Sequence, residues 1–424
     1  MTKTMEFLKR QAVRALRGAE KYTRTDMVYM ATNGSWLGIK TVLAAFLALG
    51  VSVAFANLLP VHVYGEYKYV LSVLGILSLT TLPGLGTSVV RSIAKGFDGT
   101  PHAVLVTKIR WGFLGALGSA GLAAYYWYAG NLTLAGAFLV SAVFLPYVDT
   151  LSMFATILSG KKLFRVSILY EIGVQLVGAI AVVATLLVTD SLMYVLLAYF
   201  SAYTLARFVA LRIASARYLT NTSVDTGALP YGLHLSAMEV LATIAESVNS
   251  LLLWFFIGPS QLAMYAFAKA IPTQILGGLK KLSVIALPKF ATRDLADIKE
   301  TLLRRLMWLW VGLFVLFIAY VLAAPYIFHT LFPKYVDAIF YTELIALSFL
   351  LFPKKIIGTV LNAHMRTKEL YLNSILTPCV QLVLAVILTP TYGITGAIIS
   401  ELSAQAFSLV LVTVLLFRTT HVSR

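Results

Sequence analysis

Apolar stretches of roughly 20 residues recur about twelve times along the 424-residue chain, separated by short polar connections. A helix needs ~20 predominantly apolar residues to cross the ~30 Å hydrocarbon core of a bilayer. The pattern therefore predicts an all-α integral membrane protein with about 12 transmembrane helices, without room for a soluble domain. The predicted spans cover residues 34–59, 68–90, 111–129, 133–158, 166–188, 191–211, 231–257, 263–287, 306–328, 338–362, 371–389 and 394–417.

The second half of the chain repeats features of the first half at an offset of 198 residues. Tyr67 corresponds to Tyr265, and Arg91 at the end of span two corresponds to Lys289 at the end of span eight. Six spans per half make both halves enter the membrane in the same sense, so we expect two pseudo-symmetric six-helix bundles with the site between them. The predicted organisation is a basic amphipathic N-terminal segment (1–32), an N-lobe (33–217), a cytoplasmic linker (218–230), a C-lobe (231–418) and a tail (419–424).

The net charge of +16 follows membrane topology, so no nucleic acid partner is needed to explain it. With a cytoplasmic N-terminus, 26 of the 34 Lys and Arg fall in the N-terminal segment, the even-numbered connections and the tail, as the positive-inside rule requires. Both termini are therefore predicted to be cytoplasmic, in a multi-pass protein of the cytoplasmic membrane. Lys68 and Lys334 are predicted to lie on the outer side.

The N-terminal segment places apolar and basic residues on different faces at helical spacing. This pattern is typical of an interfacial helix on anionic inner-leaflet lipids. Ordinary topology charge in a frayed tail explains it equally well, and an organellar transit peptide is a third interpretation.

Six lysines lie inside the predicted spans. A charged side chain near the bilayer centre costs ~2.5–3.5 kcal/mol on insertion scales, so it persists where it faces a polar cavity, pairs or reaches an interface. We therefore expect a polar interior and candidate substrate contacts in this set. The six residues are Lys40, Lys269, Lys280, Lys281, Lys354 and Lys355.

These lysines are not equivalent. Lys354 and Lys355 follow Pro353 and point ~100° apart on a helix, so only one of them is expected to face a small site, and the sequence does not say which. Lys280 and Lys281 lie near the cytoplasmic end of span eight, where a long side chain can reach the interface instead of a cavity.

Acidic residues inside the spans are candidates for ion or proton coupling. Ser236, Glu239, Thr243, Glu246 and Ser250 share one face of span seven because they follow spacings of three or four. Glu246 lies near mid-membrane, where a carboxyl must pair, be hydrated or be protonated. Two interpretations of Glu246 remain: it lines the cavity as a proton or cation site, or it forms an ion pair with a lysine such as Lys269.

Four further acids lie in other spans. Asp149, three residues after Pro146, is a third coupling candidate. Glu171, Glu343 and Glu401 could neutralise some of the lysines.

Several classes of chemistry lack the required residues. The six histidines have no metal-ligand spacing, and no glycine-rich phosphate loop is present, so neither a metal nor another cofactor is expected. The predicted outer connections are too short to carry the catalytic loop or domain of a membrane polymerase or ligase. The sequence therefore predicts a protein that is not an enzyme.

Short motifs in a fixed order resemble bacterial polysaccharide transporters, the Wzx-type lipid-linked oligosaccharide flippases of the MATE/MOP superfamily. Leu59-Pro60 followed by Tyr64-Gly65-Glu66-Tyr67 is similar to their "LLGPEEYGLY" turn, and Leu85-Gly86-Thr87 to their "GLGTALVR" segment. Tyr392-Gly393-Ile394-Thr395-Gly396-Ala397 is similar to their "YGI.GAA" start of span twelve. Matches at Tyr265 through Lys269 and at Leu331-Phe332 extend the resemblance over about 30 to 420. One departure is that the central cations are all Lys.

The resemblance implies two six-helix bundles that open alternately to each side and move a polyprenyl-pyrophosphate-linked oligosaccharide to the outer leaflet. In that family a basic cavity receives the pyrophosphate and sugar, often with cation or proton antiport. A monomer, associated with polysaccharide-assembly proteins, is the expected working form. A MATE-like exporter of small molecules and a membrane enzyme of polysaccharide assembly are the alternatives.

Overall fold

The first half of the molecule is a series of long helices joined by short turns. The structure is a computed structural model that describes residues 27–285 and 295–418. Most of the predicted N-terminal segment, the tail 419–424 and residues 286–294 lie outside the described residues. The helices of this half are α1 (Met27–Leu58), α2 (Val61–Leu77), α3 (Leu85–Ala94), α4 (Thr100–Tyr128), α5 (Leu132–Val148), α6 (Met153–Gly160), α7 (Phe164–Val188) and α8 (Leu192–Tyr218).

The second half has the same kind of architecture, and the described residues contain no β-strand. Its helices are α9 (Ala228–Phe256), α10 (Pro259–Ile285), α11 (Leu295–Leu331), α12 (Ile339–Ala346), α13 (Pro353–Ala363) and α14 (Thr367–Arg418). The all-α fold class predicted from the apolar pattern is confirmed.

Eight helical segments of the described chain are long and apolar enough to cross a membrane, counting α5–α6 and α12–α13 as one segment each, or nine if the bent α2–α3 pair is one span. The 52 residues of α14 would extend ~78 Å as one helix, far more than a bilayer is thick. A kink at Gly393, with φ of 60°, divides α14 into two spans. Together with α4 and α10, which have spanning length but more polar residues, the described chain accommodates twelve crossings.

The two halves match element by element at the predicted offset. Helix α2 begins at Val61 and α10 begins at Pro259, 198 residues later. The fourth span is interrupted by a 3-10 turn at Thr150–Ser152, and the tenth by one at Leu347–Phe349. The internal repeat therefore extends from sequence to backbone geometry.

Three of the six prolines inside the predicted spans coincide with breaks in the helices. Pro83 lies between α2 and α3, which bend by 46°, and Leu82 just before it has a φ of 56°. Pro146 lies two residues before the end of α5, and Pro353 opens α13. A proline removes one backbone hydrogen bond, so a break is the expected result. Pro272, Pro325 and Pro378 lie inside continuous helices.

Aromatic side chains join the halves where α2 and α10 begin, which we call the far end. The Tyr64 ring stacks on Phe267 with centroids 4.4 Å apart, and Phe267 lies 4.0 Å from Tyr335. All three rings are buried. The backbones approach closely as well, because a Cβ on Gly65 would lie 2.0 Å from the Pro259 carbonyl oxygen. This far-end aromatic cluster, with Phe55 and Phe332, seals the interface between the halves.

The opposite end carries the linker between the halves, and we call it the linker end. Asp98, in the connection between α3 and α4, is fully buried and its Oδ2 accepts three hydrogen bonds. Lys161 Nζ donates at 2.8 Å, and the backbone and side chain of Thr220 each donate at 2.9 Å. Burial alone would raise the pKa of Asp98, but these donors outweigh it, so the pKa lies below its ordinary value. We call these three residues the linker clamp.

The halves also contact each other at the linker end. The Gly84 backbone N–H donates to Ser236 Oγ at 3.0 Å, and Arg91 lies 5.2 Å from the Tyr231 ring centroid. Helix α3 therefore packs on the first turns of α9.

Candidate substrate cavity

A cavity of about 1510 Å³ lies between the two halves. Helices α1, α2, α6, α7 and α8 line it from the first half, and α9, α10 and α11 from the second. Phe55 and Tyr64 of the far-end aromatic cluster close one end of it. The site predicted between the halves thus corresponds to a real space.

Charged side chains reach this cavity from both halves. Two of them, Glu246 and Lys269, belong to the predicted set of site residues, whereas Lys68, predicted to lie on the outer side, and Arg207 do not. The charged residues that line the cavity among those described are Lys68, Glu171, Arg207, Glu246 and Lys269.

Lys269 lines the cavity but is already paired. Its Nζ donates to Glu401 Oε2 at 2.7 Å and to the Tyr265 hydroxyl at 3.1 Å. The same hydroxyl donates to Glu401 Oε2 at 3.1 Å. Lys269 and Glu401 are each about one quarter exposed. Of the two interpretations left open for Glu246, the ion pair with Lys269 does not occur in the structure, because Lys269 pairs with Glu401.

Lys40 does not line the cavity itself but forms an ion pair with Glu171. Glu171 lines the cavity and also accepts a hydrogen bond from Ser167 Oγ at 3.1 Å. Lys281, half-buried on α10 of the other half, interacts electrostatically with both members of this pair. Two of the predicted lysines therefore meet around one carboxylate.

The other predicted lysines do not line the described cavity. Lys354 is half-buried and interacts electrostatically with Glu401. Lys355 and Lys280 are exposed and lie close enough to repel each other. As expected for adjacent residues on a helix, Lys354 and Lys355 point to different neighbours.

Asp149 lies in a second, smaller cavity of about 340 Å³ within the first half. Its Oδ2 accepts from Lys108 Nζ at 2.8 Å and from Thr81 Oγ1 at 3.0 Å. Glu239, exposed on α9, interacts electrostatically with Asp149 and Lys108. Two of the three predicted coupling residues are therefore neighbours here, and neither of them lines the main cavity.

Glu246, the remaining coupling candidate, lines the main cavity. It is exposed and has no ion-pair partner within 4 Å among the residues that the structure describes. Thr243 and Ser250 of the same helix face also line the cavity, as the spacing of polar residues in span seven predicted.

Lys68 is a cavity residue that the topology count had placed outside. Its ammonium lies 5.2 Å from the Tyr64 ring centroid and 5.9 Å from that of Tyr67. No carboxylate lies within 4 Å of it among the described residues. Lys68 therefore presents an uncompensated charge against aromatic faces.

Arg207 is the second cation missed by sequence reasoning. Tyr199, Tyr203 and Arg207 follow at spacings of four along α8, so they share one face. The guanidinium lies 5.4 Å from the Tyr203 ring centroid and donates to the Val148 carbonyl oxygen.

Tyrosines connect these two cations across the cavity. Tyr67 meets Tyr199 edge to face at 6.4 Å, and Tyr199 meets Tyr203 at 4.8 Å. Tyr64, Tyr67, Tyr199 and Tyr203 form what we call the tyrosine wall, with Lys68 near one end and Arg207 at the other.

A metal site is not apparent in the described part of the chain. Within residues 27–285 and 295–418, no three His, Cys, Asp or Glu side chains come together in a metal-binding group. Three acidic side chains at or near the cavities, Glu171, Asp149 and Glu401, pair instead with lysines.

Solved structures share this architecture. A structure of the lipid II flippase MurJ in an inward closed conformation matches with a TM-score of 0.69 and 13% identity, over 90% of this chain and 87% of that chain. An inward-facing multidrug resistance MATE family transporter of the MOP superfamily matches with a TM-score of 0.65 and 16% identity, over 89% and 96%. An outward-facing multidrug resistance MATE family transporter of the MOP superfamily matches with a TM-score of 0.61 and 14% identity, over 92% of this chain and 94% of that chain.

At these identities the likeness establishes the fold, which is that of the MOP-superfamily transporters. Comparison with curated proteins finds no significant match. The profile of the family described as "Polysaccharide biosynthesis protein" matches residues 30–292, more than half of the chain. The resemblance noted in the sequence motifs is thereby confirmed, and the chain belongs to the polysaccharide biosynthesis protein family.

Proposed function

We propose that this protein moves a polyprenyl-pyrophosphate-linked oligosaccharide across the cytoplasmic membrane, from the inner to the outer leaflet, for the synthesis of cell-surface polysaccharide. The observation that carries the proposal is the large cavity between the halves, in which two unpaired cations flank a wall of tyrosines.

The size of the cavity favours a substrate with a large polar head. Pockets for drug-sized ligands measure ~300–1,000 Å³, whereas this cavity measures about 1510 Å³. An oligosaccharide head group fits such a volume, and its prenyl chain would remain in lipid.

The charges of the cavity suit a pyrophosphate. Lys269 and Glu171 are each paired, so the cavity charges without an ion-pair partner among the described residues are those of Lys68, Arg207 and Glu246. The net balance is positive. A pyrophosphate carries about two negative charges, which an ammonium binds as a point charge and a guanidinium binds through two parallel hydrogen bonds.

The tyrosine wall suits the sugar. A tyrosine has an apolar ring against which the hydrogen-bearing face of a sugar can pack, and a hydroxyl that can bond to the sugar's own hydroxyls. With Lys68 and Arg207 at its ends, the wall would place rings beside the pyrophosphate.

Alternating access would use the contacts between the halves. The far-end aromatic cluster and the contact of α3 with α9 are the two closures that must open in turn. By the positive-inside rule the linker end and both termini face the cytoplasm, so the far end faces outward. The working unit is a monomer, and its proposed partners are anionic inner-leaflet lipids and polysaccharide-assembly proteins.

Glu246 is our leading candidate for ion coupling, because it is an unpaired carboxylate in the same cavity as the substrate cations. Protonation would raise the net positive charge of the cavity and so favour anion binding. Glu239 and Asp149 would act separately, near the contact between α3 and α9.

Two other functions are less well supported. A MATE-like exporter of cations would need carboxylates to dominate the cavity, whereas Lys68 and Arg207 outnumber the unpaired Glu246. An enzyme of polysaccharide assembly would need a catalytic domain or long loop, and the connections between the described helices are short.

Purified protein in liposomes tests the proposal. A polyprenyl-pyrophosphate-linked oligosaccharide with a fluorescent sugar should become accessible to a quencher on the opposite side only when the protein is present. Transport of a cationic dye without movement of the lipid would favour the exporter. Cleavage or extension of the lipid-linked sugar would favour the enzyme.

A further inference from the structure

The predicted substrate lysine Lys269 lies at the cavity, but its charge is neutralised by a carboxylate. It lines the cavity, yet its ammonium is 2.7 Å from the Glu401 carboxylate. An anion that approaches Lys269 also approaches Glu401, so repulsion by the carboxylate offsets much of the attraction by the ammonium. As it stands, the pair is a poor anion site.

Glu401 has a second cation within electrostatic reach. Lys354 attracts Glu401, but no carboxylate lies within 4 Å of its ammonium among the described residues. Lys354 does not line the cavity. The three side chains together therefore carry one positive charge, and one of the two lysines has no partner.

The position of Lys354 makes a carboxylate partner favourable. It lies in the first turn of α13, directly after Pro353, and that turn contains no acidic residue. The N-terminus of a helix carries a partial positive charge that repels a lysine and attracts an anion. The neighbouring Lys355 adds to the repulsion. Lys354 would gain from closer contact with Glu401.

We propose that Lys354 is a positioning residue of the substrate site. When an anionic group enters the cavity, Glu401 moves from Lys269 to Lys354, and the Lys269 ammonium turns to the anion. The charges balance without any proton transfer, because Glu401 remains paired throughout. Lys354 acts on the substrate only through Glu401 and Lys269.

This inference rests on the proposed function, which supplies the anion, and it differs from a direct contact between Lys354 and the substrate. A direct contact predicts that removing Glu401 cannot compensate for the loss of Lys354. The exchange predicts that it can, because Lys269 is then free without a second lysine.

The test uses farnesyl pyrophosphate as a soluble probe of the prenyl-pyrophosphate group, with farnesol as the uncharged control, and measures affinity for the purified full-length protein. Lys354→Ala should weaken binding at least fivefold, within the usual range of coupling between groups. Lys354→Arg, which keeps the charge, should bind like the wild type. Glu401→Gln should bind at least as tightly as the wild type.

The double variant Lys354→Ala/Glu401→Gln is decisive. The exchange predicts that its affinity returns to within about twofold of Glu401→Gln, a coupling between neighbours that only a double-mutant cycle reveals. Additive loss in the double variant, or an unchanged affinity in Lys354→Ala, would overturn the inference and leave the proposed function intact. Failure of the wild type to prefer farnesyl pyrophosphate over farnesol would overturn both. Tryptophan fluorescence melting of each variant checks folding.

Discussion

The linker clamp should be a major source of stability at the linker end, and Asp98→Ala tests this. The substitution removes the acceptor of three hydrogen bonds and leaves Lys161 without its partner. Breaking a buried ion pair costs about 3–5 kcal/mol. Lys161 is 26% exposed and can turn to water, so we expect the lower end of that range.

The assay is thermal unfolding in detergent, followed by tryptophan fluorescence. For a unit of 150–250 residues, each kcal/mol shifts the midpoint by ~2–4 °C. A loss of about 3 kcal/mol in the first half therefore predicts a midpoint lower by roughly 6–12 °C. The matched control is Asp190→Asn, at an exposed carboxylate on the far side of the same half, which should leave the midpoint unchanged.

The pH dependence gives a second test of the same clamp. The folded pKa of Asp98 is lowered, so its contribution is fully present above the unfolded pKa of about 3.9 and is lost as the pH falls through the folded value. The difference in midpoint between wild type and Asp98→Asn should stay constant from pH 8 to pH 5 and shrink only below about pH 4. A difference that vanishes between pH 7 and 6, or Asp98→Ala melting like the control, would refute the reasoning.

Two further predictions concern gating and coupling. Gly65→Ala should loosen the far end, because its Cβ would lie 2.0 Å from the Pro259 carbonyl oxygen. A cysteine reporter at the cavity, Ser72→Cys in a Cys379→Ser background, should then react faster with an impermeant maleimide. The control Gly121→Ala, with open space around it, should leave that rate unchanged. Equal rates for both variants would contradict the proposed closure. Glu246→Gln should remove the stimulation of translocation by a pH gradient while farnesyl pyrophosphate still binds, and Glu343→Gln should keep that stimulation. Retained stimulation in Glu246→Gln would exclude it as the coupling residue.

The fold was largely predictable because a transmembrane helix can be recognised from the apolar residues of its own segment. Apolar runs of spanning length and the 198-residue offset were enough to predict twelve spans in two similar halves. The helix breaks were less certain, since Pro83 and Pro353 break their spans, whereas Pro272 and Pro378 do not. A proline removes one backbone hydrogen bond wherever it lies, but whether the helix ends there or continues is not written in the local sequence.

The site was only partly predictable, for reasons that concern pairing. Lys40 meets Glu171 across 131 residues, and Lys269 meets Glu401 across 132, so no local pattern reveals that their charges are compensated. Lys68 was not predicted to be a cavity residue because it follows closely on a turn, which suggested the membrane boundary. One signal was available: Tyr199, Tyr203 and Arg207 repeat at intervals of four residues, as a helix face does.

The central claim is that the cations on the tyrosine wall bind the pyrophosphate of a translocated lipid. The most direct measurement is the rate at which the double variant Lys68→Gln/Arg207→Gln moves a fluorescent polyprenyl-pyrophosphate-linked oligosaccharide across liposome membranes. The control is Arg110→Gln, which removes an exposed charge from α4. Our account predicts that the double variant loses translocation at normal protein abundance, whereas Arg110→Gln keeps it. Equal rates in the two variants would contradict the account.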